Sequence, residues 1–207
     1  MDKNKKSYHH GNLKEALILS AVEILKTSGY SSLSLRLVAK TAGVSHTAPY
    51  SHFNNKEDLY AAIAEYGFDL LTKMLIELNN STISPFEKLK EAIKLYIYFA
   101  TENPDIYSVM FSKEIKIELF PILMEKANYS LSLLQKQIEI CQEQNILFNE
   151  NPKNQTFFVW TVLHGFSEIV INNKIPDIQR SCETKEKLNS DLIIETIINH
   201  IFQGIKR

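Results

Sequence analysis

Residues 33 to 56 read LSLRLVAKTAGVSHTAPYSHFNNK, and the architecture can be worked out from them. Ser34 is placed to cap a helix, because its hydroxyl can accept from a backbone N–H two or three residues on. Leu35, Val38, Ala39 and Ala42 recur at helical spacing and give one buried stripe. Gly43 supplies the left-handed position at which a helix ends without a Cβ penalty. Val44 is an apolar plug and Ser45 the next capping candidate. A second short helix is expected from Ser45, carrying His46, Thr47, Tyr50, Ser51 and His52, all able to hydrogen-bond, with Ala48 and Phe53 facing inward. Helix, Gly-containing turn and polar second helix make a helix-turn-helix pattern, one shared by ordinary αα-hairpins.

Upstream, Leu13, Ala16, Leu17, Ala21, Ile24 and Leu25 share one face of a helix that runs to about Ser28 and ends at Gly29. Residues 1 to 8 are polar and expected to be disordered. His9 and His10 suit a phosphate-facing arm better than a metal site, since neighbouring side chains point apart. Downstream, Asn54 or Asn55 caps a helix whose early acids, Glu57 and Asp58, complement its dipole, and which runs to about Asn79. Ser84-Pro85-Phe86-Glu87 starts the next, to about Glu102. A short helix from Ile106 to Ser112 and a long one from Pro121 to about Asn145 follow, then a loop from Asn149 to Asn154. Residues 155 to 173 are apolar nearly all round, which predicts burial on every face. A polar linker at 174 to 186 precedes a last helix at 187 to 204. With no period-two strand pattern and no repeat, the fold class is all-α, about nine helices. A three-helix head at 1 to 56, with a linking helix at 56 to 79, is expected to join a helical body at 80 to 207.

The 207 residues carry a net charge of only −1, but unevenly: residues 1 to 56 hold eight Lys/Arg against three Asp/Glu, and the remainder fifteen against twenty-one. A basic head on an acidic body suits phosphate attraction confined to one end. Cys141 and Cys182, the only cysteines, match no metal spacing. No metal or cofactor is expected, and neither a signal peptide nor a membrane span is visible. A cytoplasmic location follows as an expectation.

Base reading is expected from the second motif helix, because the major groove admits a helix and carries the distinctive donor/acceptor code. His46 and Thr47 are placed for base contact, Ser34 and Arg36 for the neighbouring backbone, and Lys56 for a phosphate at a helix start. Residues 9 to 68 carry A-x-x-I-L-x-x-x-G-Y, then S-L-R-x-V-A-x-x-A-G-V-S, then Y-x-H-F-x-x-K-E-D-L-Y. Those linked pieces resemble the N-terminal domain of TetR-family transcriptional regulators. The resemblance implies double-stranded operator DNA as partner and phosphate bonds from Tyr50 and His52, a structural hydrogen bond being their alternative role.

W-x-x-x-H-G at Trp160, His164 and Gly165, with Y-H-H-G-N-L-K-E-A-L at the start, is similar to a Trp-His-Gly subgroup of the same family. TetR-like proteins dimerise through their last two helices, which implies a homodimer interface at Gly165, Phe166, Ile169, Ile194, Ile197, Ile198 and Ile201. A mid-helix glycine costs about 1 kcal/mol relative to Ala, so Gly165 is expected at a close helix approach. Trp160 and His164 share a helix face and could orient a small polar ligand, or be plain core. Tyr98, Tyr107, Met110, Phe111 and Phe120 are further candidates for an effector cavity, and would look the same in an unoccupied core. The function implied is a homodimeric regulator, a repressor released by an unknown small-molecule effector. Its rivals are a regulator switched by a protein partner or constitutive, and an enzyme in the body. For the enzyme only His164 with Glu168 offers an acid/base pair.

Overall fold

The computed structural model describes residues 13–172 and 190–205; the N-terminal arm with His9 and His10, the polar linker and Cys182 lie outside them. Eight α-helices follow one another: α1 Leu13–Ser28, α2 Leu35–Thr41, α3 Lys56–Asn79, α4 Pro85–Glu102, α5 Pro104–Met110, α6 Pro121–Glu143, α7 Pro152–Ile171 and α8 Ser190–Ile205. Short 3₁₀ turns stand at Tyr30–Ser32, Ala48–Ser51 and Ile117–Leu119. The fold is all-α among the described residues, and no helix among them is long and apolar enough to cross a membrane.

Local chemistry sets the boundaries. The Ser34 hydroxyl accepts from Leu37 N at 3.3 Å and caps α2. At its other end Val44 N reaches Ala39 O and Gly43 N reaches Lys40 O, with Gly43 at φ +71, which is a Schellman stop. Asn55 caps α3 by accepting from Asp58 N, while the Asp58 carboxylate accepts from the backbone and side chain of Asn54. Proline opens α4, α5, α6 and α7, where its missing N–H leaves no orphan donor. Pro152 therefore begins α7 within the stretch expected to be loop, with Asn151 as its cap.

The second motif helix is a correction. In place of an α-helix from Ser45 stands the 3₁₀ turn Ala48–Ser51. Pro49 has no N–H to give to Ser45 O, so Ala48 N takes that carbonyl at 3.0 Å and the i→i+3 pattern sets in. Ser45 does not cap it; its hydroxyl meets Thr47 Oγ1 at 3.1 Å.

Leu17, Leu25, Leu33, Val38 and Phe53 form the head's core together with Leu59, Tyr60 and Ile63 of α3. Beyond Ile63 the same helix packs on α4, α5 and α6, so one apolar core runs from head to body. Gly67 lets α3 and α5 meet closely: a Cβ there would stand 2.5 Å from Met110 Sδ and 2.8 Å from Ile106 Cγ2. The expected all-round burial of the apolar helix α7 does not hold within one chain, because Phe157 and Phe158 are 60% and 46% exposed.

Candidate nucleic-acid interface and effector cavity

Ser34, Arg36, Ser45, His46, Thr47, Tyr50, Ser51 and His52 are all exposed on the head. Four of the hydroxyls are engaged locally: Ser34 in its cap, Ser45 and Thr47 with each other, and Ser51 donating to Ala48 O at 2.8 Å. The side chains of Arg36, His46, Tyr50 and His52 are exposed and make no hydrogen bond or ion pair to a described residue. Beneath them Phe53 is fully buried, and its N–H bonds Pro49 O at 2.9 Å. Lys56 is half-buried, its ammonium 5.0 Å from the centroid of the Tyr60 ring and 5.9 Å from that of Tyr30. Neither Arg36 nor Lys56 is neutralised by an acid among the described residues, which keeps the head's positive field available to phosphates.

In the body, α3, α4, α5, α6 and α7 enclose a cavity of about 320 Å³. Met110, Phe111 and Trp160, read from the sequence as ligand candidates, line it; Phe68, Leu71 and Leu75 of α3, Tyr96 of α4, Ser130 of α6 and Phe157 of α7 line it too. Sequence reasoning missed these. The α3 set was hidden in the linking helix, and only that helix's length, which carries it into the body, hinted at their role.

Tyr107 and His164 are not in the lining but form a hydrogen-bonded cluster behind it. Tyr107 Oη stands 2.6 Å from His164 Nδ1 and 3.0 Å from Tyr96 Oη. The His164 ring stacks on Trp160 at 5.3 Å, which orders the wall from behind. Two candidates lie elsewhere: Tyr98 is exposed on α4, and Phe120 sits half-buried at the N-cap of α6, outside the lining. Both residues share a helix or helix end with lining residues, but helical rotation turns them away.

Burial pushes Tyr96 up to about 12 and Tyr107 further up, so both phenols stay protonated. Burial lowers the His164 imidazole below its ordinary 6.5, with Glu168 opposing. The arrangement suits a Tyr107 O–H donating to an unprotonated Nδ1. Between that lowered value and 6.5 the unfolded chain binds more protons than the folded one, so stability rises with pH there. The contribution is complete above 6.5 and is lost as pH falls through the folded value. Urea midpoints are expected to drop as buffer is taken from about pH 7 to about pH 5. His164→Gln, which can still accept from Tyr107, should flatten that decline; an unchanged slope would assign it to other groups.

Between cavity and head runs a strap, residues 111 to 117. Phe111 and Ile117 line the cavity. Beside Phe111, Ser112 Oγ meets Tyr30 Oη at 2.8 Å; beside Ile117, Lys116 N donates to Glu57 Oε1 at 3.0 Å. Tyr30 in turn stacks on Tyr60 at 4.8 Å, under the Lys56 ammonium.

Of the expected interface positions, Phe166, Ile194, Ile198 and Ile201 are buried in this chain's own core. Gly165 and Ile169 are exposed and Ile197 is half-buried. Phe158, Gly165 and Ile169 stay exposed on α7, and Leu192, 66% exposed, stays exposed on α8. A Cβ on Gly165 would meet nothing within 4 Å, so no close approach among the described residues requires that glycine.

Residues 17–63 match the family model for bacterial regulatory proteins of the tetR family. The nucleoid occlusion factor SlmA of Yersinia pseudotuberculosis is 22% identical over 177 residues, 84% of this chain and 89% of its own. A bacterial regulatory protein in the tetR family from Rhodococcus RHA1 superposes with a TM-score of 0.69 at 14% identity, covering 93% of this chain and 96% of that one. AibR in complex with isovaleryl coenzyme A and operator DNA gives 0.66 at 16% identity, over 91% and 97%. Both structural likenesses show the fold.

Proposed function

We propose that this chain, a TetR-family DNA-binding regulator, occupies a palindromic operator as a homodimer and leaves it when a small molecule enters the body cavity. It would act in the cytoplasm as a repressor, with a head at residues 1 to 56 hung from α3 and a body at 80 to 207. The strap carries this reading. At each end of it a residue facing the cavity is adjacent to one holding the head, so a molecule that moves the wall at Phe111 or Ile117 works directly on the bonds to Tyr30 and Glu57. A ligand shifts the head only as far as it prefers one arrangement over the other.

Dimerisation is supported by the exposed apolar residues Phe158 and Ile169 on α7 and Leu192 on α8, with Gly165 open to a close crossing by the partner. One short recognition element reads few base pairs; a two-fold pair reads two half-sites about 34–36 Å apart. AibR, solved with both a small molecule and operator DNA, supports the same pairing of roles here.

The test is footprinting and gel shift with DNA upstream of the chain's own gene, across salt concentrations. A protected palindrome with half-sites about one turn apart is expected, and binding to no DNA overturns the reading. Ser112→Ala probes the strap without any ligand. Removing that hydrogen bond should cost about 0.5–1.5 kcal/mol of head positioning, which weakens operator binding by up to about tenfold. Unchanged affinity would disconnect the strap from DNA binding.

A further inference from the structure

We infer that the body cavity is built for an uncharged, largely apolar molecule that presents one hydrogen-bonding oxygen to Ser130 of α6, an inference that rests on the cavity being the effector site. Among the described residues its wall holds no Lys, Arg, Asp, Glu or His side chain. Phe68, Leu71, Met110, Leu134 and Leu163 make most of it apolar. Of the charged groups on the surrounding helices, Asp69 and Lys126 pair with each other across α3 and α6 and stay out of the lining. The cluster behind the wall adds no charge near neutral pH, since Tyr96 and Tyr107 keep their protons and burial holds the His164 imidazole neutral. A carboxylate or ammonium drawn into this site would be desolvated without a partner, which costs far more than a shared hydrogen bond returns.

Ser130 argues against a bare hydrocarbon. It is 6% exposed, lines the cavity and makes no side-chain hydrogen bond to a described residue. Its hydroxyl is open to the cavity rather than sealed off, and a ligand carbonyl, ether or hydroxyl oxygen would take the hydrogen bond otherwise left to water. The Tyr96 hydroxyl is already committed to Tyr107 and His164. At about 320 Å³ the cavity is at the small end of ligand sites, which span ~300–1,000 Å³. Its mouth is rimmed by Ile117, Asn128 and the exposed ring of Phe157.

The experiment titrates the intact protein with the neutral fluorophore N-phenylnaphthylamine. Decanol, decanoate and decylammonium, which share a chain and differ in head group, then compete below their micellar concentrations. The fluorophore should brighten on binding, and decanol should displace it. Decanoate and decylammonium should do so at least about tenfold more weakly. Leu134→Trp fills the cavity and should abolish uptake with the helical circular dichroism retained; Ala92→Leu serves if that variant fails to fold. Ser130→Ala should weaken decanol by about threefold to tenfold and spare the fluorophore. Decanoate or decylammonium equal to decanol, or decanol unaffected in Ser130→Ala, overturns the inference and leaves the effector site standing. No fluorophore uptake by the native protein, or uptake untouched by filling the cavity, removes the effector site itself.

Discussion

Phe53→Ala is expected to lower the unfolding free energy by about 3–5 kcal/mol and to abolish operator binding. The side chain is 1% exposed in the head's core, and its removal leaves a cavity that short helices held at both ends cannot collapse to fill. Its larger consequence concerns the recognition turn. Ala48–Ser51 is a single 3₁₀ turn whose own bonds, among them Tyr50 N to Thr47 O at 3.2 Å, are too few to fix it. What fixes it is attachment: Pro49 is buried, and Phe53 is anchored in the core while its N–H holds Pro49 O. Without the Phe53 ring, His46, Thr47 and Tyr50 lose the support that gives them a common direction. Urea unfolding and a gel shift measure the two effects separately. A stability loss below about 1 kcal/mol, with DNA binding kept, would mean that the head repacks around the gap.

Gly67→Val is the second large effect. The first added carbon stands 2.5 Å from Met110 Sδ and 2.8 Å from Ile106 Cγ2, and the β-branch adds more volume. Met110 has a flexible end, but Ile106 is branched and fully buried, so α5 must move away from α3. Overpacking of this kind costs about 1–3 kcal/mol. Because α5 leads into the strap and Met110 lines the cavity, the loss of stability should come with weaker fluorophore uptake and weaker operator binding. Stability falling while both bindings hold would show α5 to be filler rather than a link.

The sequence is informative where local chemistry decides. Ser34 as a cap, Gly43 as a stop and the length of α3 to Asn79 are set by residues adjacent in the chain, and the structure has all three. The same rules misread residues 45 to 53, because a polar run after a serine cap suggests a helix while one proline denies it a hydrogen bond. Position within the body was less legible. Phe166, Ile194, Ile198 and Ile201 satisfy an interface pattern as well as a core pattern, and only the packing of α7 and of α8 on α4 within the same chain puts them inside. Tyr96 and Ser130 carried no signal, since a tyrosine or serine on an amphipathic helix gains meaning only from the space opposite it. The pairing of Tyr30 with Ser112, 82 residues apart, lies beyond any local reading.

The double duty of α3 limits how such a protein can be taken apart. A chimaera spliced at Asn55 would keep the recognition turn yet strip Leu59, Tyr60 and Ile63 from beneath it, leaving the transplanted head without one side of its interior. Splicing after Asn79 keeps that interior but carries Phe68, Leu71 and Leu75 along, so the recipient inherits one wall of the donor's cavity. If the cavity is the effector site proposed above, operator preference and effector preference travel partly on the same 24-residue segment, and exchanging one between relatives is expected to alter the other.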